Sequence, residues 1–223
     1  MLSVNNQTLE AYDRWAPSYD PVPHNPLMRA EQQAMLQRWP QVQGGRALDL
    51  ACGSGRYAKL LTWGGAATVV ALDFSAAMLQ RVSGCVRVRA SMMSLPFIDK
   101  AFDVIVSGLA IGHAPSIDRL MQECGRVLDR GGVLLYSDFH AQAARAGLVR
   151  SFKDATGATC VVPHHSHDSR AQIAAATAAG MIVESTTELR AGIEIAEPFE
   201  GSEGFYRQWQ GLPLVLIVRA RKR

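Results

Sequence analysis

The sequence carries little net charge and lacks any long hydrophobic run. Its 223 residues include 23 lysines and arginines against 20 acidic residues, which gives a formal net charge of +3. This small, dispersed excess argues against a nucleic-acid-binding surface, and the one basic cluster, at residues 219–223, is interpreted as a solvated tail. No apolar segment approaches the ~20 residues that a membrane-spanning helix requires. We therefore expect neither a nucleic acid nor a membrane as partner.

Cysteine is scarce as well. The four cysteines, which show no CxxC motif and no zinc-ligand spacing, are Cys52, Cys85, Cys124 and Cys160. Residues 1–15 contain Glu10 and Asp13 and no apolar run, unlike a secretory signal peptide. These observations predict reduced thiols, a cytoplasmic location and no metal site.

The sequence does have the composition of a globular protein with one core. Apolar residues make up 48% and charged residues 19%, which excludes a disordered chain. From residue 46 onward, short apolar runs alternate with helical segments, a pattern typical of a parallel sheet buried on both faces. The predicted strands are 47–50, 68–72, 86–89, 104–108, 133–137, 181–185 and 214–218, and the predicted helices after residue 46 are 56–63, 74–82, 117–128 and 169–179.

A single domain over residues 1–223 is expected, and it divides into four parts. Prolines between residues 17 and 26 interrupt the first, helical part. A glycine- and histidine-bearing stretch later interrupts the strand–helix alternation, so it is interpreted as an insertion above the sheet. The four parts are a helical segment (1–45), a cofactor-binding core (46–140), a substrate-side insertion (141–168) and a C-terminal helix with strands (169–223).

A glycine turn after the first predicted strand carries the clearest functional signal. Gly53, Gly55 and Ala58 fit the G-x-G-x-x-A pattern, and Asp73 follows twenty residues after Gly53. The pattern alone is compatible with a nicotinamide dehydrogenase, in which the turn holds a pyrophosphate. Asp49 lies in the apolar strand before the turn, where a carboxylate opposes a pyrophosphate and favours a ligand with an ammonium group. Alternatively, Asp49 caps the turn through backbone N–H groups.

Further motifs accompany the turn in a fixed order. They are Ala11-Tyr12-Asp13-Arg14-Trp15-Ala16-Pro17-Ser18-Tyr19-Asp20, Ala71-Leu72-Asp73-Phe74-Ser75 with Met78-Leu79, Ser91-Met92-Met93-Ser94-Leu95-Pro96-Phe97, Phe102-Asp103-Val104-Ile105-Val106-Ser107 and Arg126-Val127-Leu128-Asp129-Arg130-Gly131-Gly132. This ordered set resembles the class I S-adenosylmethionine-dependent methyltransferases, especially their small-molecule, methyltransferase-11-like branch. The resemblance covers residues 8–140 well and the rest loosely.

The resemblance implies a fold and an activity. The fold would be a doubly wound α/β structure with a mostly parallel seven-stranded sheet, the last strand antiparallel, an N-terminal helical lid and an insertion after strand five. The activity would be transfer of a methyl group from S-adenosyl-L-methionine to an oxygen, nitrogen or carbon of a small metabolite, in a monomer or homodimer. Alternatives are a carboxyl methyltransferase acting on an acyl-carrier-protein thioester, an NAD-dependent oxidoreductase and a non-catalytic cofactor-binding protein.

The resemblance also implies roles for individual residues. Asp49, Ala51, Gly53 and Gly55 would line the methionine end of the cofactor, Asp73 would hold the ribose, Phe74 and Met78 would contact adenine, Ser91 and Met92 would read its edge, Leu109 would follow the fourth strand, and Tyr19 would close from the lid. Two positions depart from the family pattern. Ala51 replaces a glycine, which is tolerated if its φ is negative. Ser91 replaces an aspartate, and its hydroxyl can still accept a hydrogen bond from the adenine amine.

Histidines are the candidate proton acceptors, because their pKa lies near neutrality. His140 follows the fifth predicted strand at the edge where open α/β sheets bind ligands, and His165 and His167 lie in the insertion over the same edge. We therefore expect His140, His165 or His167 to act as a general base or to anchor the acceptor. His113 is interpreted as a wall residue beside the cofactor. A metal site on these histidines is not favoured, because few carboxylate or cysteine ligands accompany them.

Overall fold

The computed structural model describes residues 6–154, 156–192, 195 and 207–223. One sheet of seven strands dominates the fold, in the spatial order β3-β2-β1-β4-β5-β9-β8. The first five strands of that order are parallel, and β9 runs antiparallel to both of its neighbours, β5 and β8. The strands of this sheet are β1 (Arg46–Leu50), β2 (Thr68–Asp73), β3 (Val86–Arg89), β4 (Phe102–Ser107), β5 (Leu128–Phe139), β8 (Met181–Arg190) and β9 (Pro213–Lys222). The expected α/β fold with a mostly parallel seven-stranded sheet is confirmed.

Seven helices and a small hairpin surround the sheet in the described part of the chain. The helices are α1 (Asn6–Trp15), α2 (Pro26–Leu36), α3 (Arg56–Trp63), α4 (Ala76–Gln80), α5 (Ile117–Val127), α6 (Ala141–Arg145) and α7 (Ser169–Ala178), and the hairpin pairs β6 (Ser151–Lys153) with β7 (Thr159–Val161). Side-chain caps begin several of these helices. Asn25 accepts from the Met28 amide, and Ser75 accepts from the Met78 amide. None of the described helices has both the length and the hydrophobicity that crossing a bilayer demands.

Alternate residues of the central strands pack into two core layers. Ala47 and Val104 face a layer with α2 and α3, whereas Leu48 and Ile105 face a layer with α5 and α7. The apolar stripe predicted for α5 is fully buried. Burial on both faces explains why these strands read as continuous apolar runs. It also fixes their register, so that the carboxyl ends of β1, β2 and β4 meet at one edge.

The turn between α5 and β5 differs from the prediction. The predicted helix 117–128 and strand 133–137 leave a connection between them, but α5 ends at Val127 and the chain enters β5 directly at Leu128. Gly131 adopts a φ of 77°, and a Cβ on Gly132 would lie 3.0 Å from the Asp103 carbonyl oxygen. The glycines therefore serve a close approach of β5 to β4 rather than a helix end. Most of segment 191–210, which the sequence left unassigned, lies outside the described residues.

Candidate active site

A cavity with an empty volume of about 930 Å³ opens at the carboxyl ends of β1, β2 and β4. Helix α1 covers it and contacts both sides of its rim. Ser75 Oγ donates to Asp13 Oδ1 at 2.6 Å, and the Trp15 ring stacks on Phe152 at 4.4 Å. The lining residues are Thr8, Leu9, Tyr12, Tyr19, Asp49, Ala51, Cys52, Gly53, Ser54, Arg56, Tyr57, Leu72, Asp73, Phe74, Ser75, Ala90, Met92, Met93, Gly108, Leu109, Ala110, His113 and Arg150.

The glycine turn is held by Asp73. The Gly53 amide donates to Asp73 Oδ2 at 2.8 Å, and the Ser75 amide donates to Asp73 Oδ1 at 2.8 Å. Gly53 has a φ of 54°, in the left-handed region that favours glycine, and a Cβ there would lie 3.9 Å from the cavity residue Tyr19. Glycine at this position therefore serves the turn.

Asp49 caps the turn and also lines the cavity, so the two roles that the sequence left open are compatible. Its Oδ2 accepts from the Ala58 amide at 2.6 Å, so it caps the first turn of α3. The residue is 1% exposed and still lines the cavity. Burial raises the pKa of the Asp49 carboxyl to about 7, although the Ala58 N–H group and Arg56 lower it. A positively charged ligand group beside it would favour the ionised form.

Two cavity residues other than glycine have a left-handed backbone. Ala51 and Leu109 both have a φ of 54°. The condition under which alanine would replace glycine at position 51 without strain, a negative φ, is not met, because the chain turns at this residue directly after β1. Non-glycine residues in this region cost about 1–3 kcal/mol each and collect at functional sites.

Replacing Ala51 by glycine should raise the free energy of unfolding by about 0.5–1 kcal/mol. Glycine removes the Cβ that makes a positive φ cost about 1–2 kcal/mol, and the more flexible unfolded chain offsets about 0.4–1 kcal/mol of this gain. Denaturant unfolding of both proteins measures the difference. Ala58→Gly, at a buried position within α3, is the matched control and should lose at least about 1 kcal/mol. A loss of stability in Ala51→Gly would contradict the inferred strain.

Most of the residues that the sequence suggested for cofactor binding come together in this cavity. Those that line it are Tyr19, Asp49, Ala51, Gly53, Asp73, Phe74, Met92 and Leu109. Three do not line it. Gly55 begins α3 with a φ of 86°, Met78 is fully buried, and Ser91 accepts from the Met93 amide at 3.1 Å. The cofactor-binding roles expected for these three residues therefore gain no support from their positions.

The three histidines expected at the reaction centre do not line the cavity. His140 caps α6 by accepting from the Gln142 amide, and its Nε2 lies 3.4 Å from Glu188 Oε1 on the far side of β5 from β4. His165 is exposed, and His167 contacts the Ala114 carbonyl oxygen at 2.8 Å. Their catalytic roles therefore gain no support from their positions.

His113 is the histidine that lines the cavity. Its Nε2 lies 2.8 Å from the Tyr12 hydroxyl and 3.0 Å from Arg150 Nη1. Burial lowers the pKa of His113 well below its usual value, and Arg150, His164 and His165 lower it further. Because Arg150 can only donate, Nε2 of this neutral ring is an acceptor. No local sequence signal identifies Arg150 as its partner, since 37 residues separate them.

A buried polar network supports the cavity from below. Glu31 Oε1 accepts from the hydroxyls of Tyr57 (2.7 Å) and Ser137 (2.6 Å), and Oε2 lies 2.8 Å from Arg56 Nη1. The Leu109 amide donates to Ser137 Oγ at 2.8 Å. The network therefore joins α2 to the start of α3 and to the chain after β4.

The donor set of the cavity fits S-adenosylmethionine. Asp73 matches the ribose hydroxyls of either kind of cofactor, whereas Asp49 matches an ammonium and would repel the pyrophosphate of a dinucleotide. Leu72, Phe74 and Met92 provide apolar surface for adenine. The guanidinium of Arg56 lines the same end, where it complements a carboxylate.

Comparisons with known proteins agree with this fit. A family model described as a methyltransferase domain matches residues 48–136. Malonyl-[acyl-carrier protein] O-methyltransferase of Enterobacter lignolyticus is 33% identical over 148 residues, which cover 64% of this chain and 58% of that protein. The 2-phytyl-1,4-naphtoquinone methyltransferase of Nostoc punctiforme is 31% identical over 154 residues, which cover 61% and 66%, respectively. The chain thus spans less than two thirds of the length of either relative.

A solved structure extends the similarity to nearly the whole chain. The S-adenosylmethionine-dependent methyltransferase from Mesorhizobium loti matches with a TM-score of 0.70 at 25% identity, covering 86% of this chain and 98% of that one. The sheet order, the two carboxylates at the glycine turn and the matched motifs all agree with this similarity. Together these similarities support a class I S-adenosylmethionine-dependent methyltransferase.

Proposed function

We propose that this chain transfers a methyl group from S-adenosylmethionine to a small-molecule acceptor. The observation that carries the proposal is the pair of carboxylates, Asp49 and Asp73, at one end of the cavity. The cavity continues past Leu109 to His113 and Arg150, and this second end is the proposed place for the acceptor.

Each cavity residue has a separate task in this proposal. Asp73 accepts from the ribose hydroxyls, Asp49 holds the methionyl ammonium, and Arg56 with Tyr19 holds the methionyl carboxylate. When bound, S-adenosylmethionine supplies a methyl group on a sulfonium, whose neutral leaving group needs no proton. The protein then has to hold the acceptor in line at about 3–3.5 Å and exclude water, which α1 favours by covering the cavity.

Two measurements test the proposal. Isothermal titration should detect binding of S-adenosylhomocysteine and none of NAD. Incubation with labelled S-adenosylmethionine and a deproteinised cell extract should then yield a labelled small molecule. Binding of NAD alone would favour an oxidoreductase, and cofactor binding without any transfer would favour a non-catalytic protein.

A carrier-protein thioester is the alternative acceptor that one relative's name suggests. Docking an acidic carrier would use basic residues of the insertion, and the candidates are Arg145, Arg150 and Lys153. Arg145 is ion-paired to Asp168 at 2.8 Å, and Arg150 bonds inward to the Leu109 carbonyl. Of the three candidates, Lys153 is then the one available for docking. Because a single lysine is a weak docking surface, we favour a free small molecule as the acceptor.

The affinity for S-adenosylhomocysteine should fall as the pH drops below about 7. The pKa of Asp49 is about 7 in the free protein, with Arg56, Asp73 and the Ala58 N–H group facing it. An ammonium ligand binds the ionised form, so each unit below about pH 7 should weaken binding by up to about tenfold. Between about pH 5 and 7 the ligand amine stays protonated. Calorimetry across this range should show the affinity falling with decreasing pH. Asp49→Asn should bind S-adenosylhomocysteine more weakly, and its affinity should not depend on pH in this range. A pH dependence unchanged in Asp49→Asn would contradict this assignment.

The proposal also includes a cytoplasmic location and a monomer or homodimer. The four cysteines support the location, since none forms a disulfide. Analytical ultracentrifugation measures the oligomeric state, and fractionation of the source cell measures the location.

A further inference from the structure

Arg150 brings a positive charge with unused donors to the acceptor end of the cavity. Its Nη1 donates to the Leu109 carbonyl oxygen at 2.5 Å and contacts His113 at 3.0 Å. Among the described residues, no carboxylate pairs with the guanidinium, and nothing accepts from its Nε or Nη2. The group is half-buried, with the Phe139 and Tyr12 rings at 5.1 and 5.8 Å. A partly desolvated guanidinium with free donors favours an anionic ligand.

The same end of the cavity lacks a general base among the described residues. His113 Nε2 is already the acceptor for the Tyr12 hydroxyl and the Arg150 N–H group, at 2.8 and 3.0 Å. Its surroundings also stabilise the neutral ring against protonation, so it would hold an abstracted proton poorly.

The other ionisable groups of the cavity do not replace His113 as a base. Burial raises the pKa of the Tyr12 and Tyr19 hydroxyls and of the Cys52 thiol, so all three stay protonated near neutral pH. Asp49 and Asp73 lie beside the glycine turn, where each carboxylate accepts from backbone N–H groups. The buried Asp138 does not line the cavity. An alcohol, phenol or ammonium acceptor would therefore find no described group that lines this end of the cavity to take its proton.

We propose that the acceptor is a carboxylic acid, bound as its carboxylate by Arg150 and converted to a methyl ester. This inference rests on the proposed function. A carboxylic acid with a pKa of about 4 has already lost its proton at neutral pH before it binds, so no base is needed. One carboxylate oxygen supplies the electron pair of the new O–CH₃ bond, the electrons of the broken C–S bond go to sulfur, and no proton is released. Arg150 holds the other carboxylate oxygen through Nε or Nη2 and sets the direction of attack.

Arg150 lies apart from the arginine proposed to bind the carboxylate of the cofactor. Arg56 follows the glycine turn directly, and its Nη2 lies 3.2 Å from the position of a Cβ on Gly108. Arg150 instead contacts Leu109 and His113, past the end of β4. The inference therefore predicts that loss of Arg150 impairs methyl transfer and leaves cofactor affinity nearly unchanged.

The test uses the chemical lability of methyl esters. The protein is incubated with tritiated-methyl S-adenosylmethionine and a panel of probes, each present as carboxylic acid, alcohol and amine on one carbon skeleton, together with a deproteinised cell extract. Malonyl-N-acetylcysteamine represents a carrier-borne acid, and its carboxamide serves as the matched control. Mild alkali releases labelled methanol from esters only, whereas ethers, N-methyl and C-methyl products keep the label.

The expected result is alkali-labile label, formed from acids and not from the matched alcohols and amines. Arg150→Gln should reduce kcat/KM by about 100-fold, because the charged hydrogen bond to the acceptor is lost, while the Kd for S-adenosylhomocysteine changes less than about threefold. Arg150→Lys should retain part of the activity, because lysine keeps the charge without the planar fork. Arg145→Gln removes an exposed charge of the insertion and should change nothing.

Three outcomes contradict the inference in different ways. Alkali-stable label would show a different acceptor atom and overturn it while leaving methyl transfer intact. Alkali-labile label that persists in Arg150→Gln would remove Arg150 from acceptor binding and overturn it as well. An absence of any labelled product would contradict the proposed function itself. Label on malonyl-N-acetylcysteamine but on no free acid would identify a thioester-borne carboxylate as the source.

Discussion

Replacing Glu31 by alanine should lower the free energy of unfolding by about 3–5 kcal/mol, because it leaves a buried guanidinium unpaired. Glu31 is fully buried, and Arg56, its partner at 2.8 Å, is 9% exposed. The same carboxylate accepts from the Tyr57 and Ser137 hydroxyls. The substitution therefore removes one charge and three contacts from a buried site beside the cavity. Denaturant unfolding monitored by circular dichroism measures the change.

Two comparisons separate the stability lost with the ion pair from the stability lost with side-chain packing. Asp99→Ala breaks the contact to Arg126 at 3.0 Å where the aspartate side chain is 72% exposed, and it should cost at most about 1 kcal/mol. The double variant Glu31→Met with Arg56→Met should be less destabilised than Glu31→Ala, since it leaves no unpaired charge. A cost below about 1 kcal/mol for Glu31→Ala would show that the pair contributes little to stability.

The Glu31 network also supports the cavity. Ser137 links Glu31 to the amide of Leu109, which keeps a left-handed backbone at the acceptor end. Gly108, beside it, leaves no room for a side chain, because a Cβ would lie 2.2 Å from Tyr57 Cε2. Glu31→Ala should therefore weaken methyl transfer in the fraction that remains folded.

The sheet core and the glycine turn could be predicted because their signals are local. Apolar strands, the acid at position 73 and the cap at Ser75 each lie within a few residues of the element that they define. β8 and β9 are longer than predicted, and each spans ten residues. β8 lies at the sheet edge with polar side chains alternating outward, so an apolar-run criterion finds only its beginning.

The acceptor end was harder to predict because its residues are distant in sequence. His113 and His140 both follow strands of the parallel sheet, and the sequence does not tell which ring faces the cavity. That choice depends on His140 capping α6 and on Arg150 reaching His113 from the insertion. The Glu31 contact to Ser137 spans 106 residues and has no periodic signature. The φ of Ala51 could not be predicted from the sequence, because its left-handed backbone follows from the turn geometry and not from its residue type.

Replacing Asp73 by alanine should weaken S-adenosylhomocysteine binding by about 100-fold or more. Each carboxylate oxygen accepts one backbone N–H, from Gly53 and from Ser75, and has a further lone pair for a ribose hydroxyl. Two lost hydrogen bonds to a charged group correspond to about 3 kcal/mol or more, and the freed glycine turn adds to the loss. Calorimetric titration of the folded variant measures the Kd.

Matched variants distinguish ligand contacts from a disturbed turn. Asp73→Asn should be nearly as harmful as alanine, because its NH₂ group would face one of the two backbone N–H donors. Asp13→Ala removes another carboxylate that bonds to Ser75 but does not line the cavity, so it should change the Kd less than about threefold. A finding that Asp73→Ala unfolds at the same denaturant concentration as the parent and binds S-adenosylhomocysteine with the same Kd would show that Asp73 does not hold the ribose. If Asp73→Ala and Asp13→Ala weakened binding equally, the effect would come from a disturbed loop at Ser75 rather than from a lost contact to the ligand.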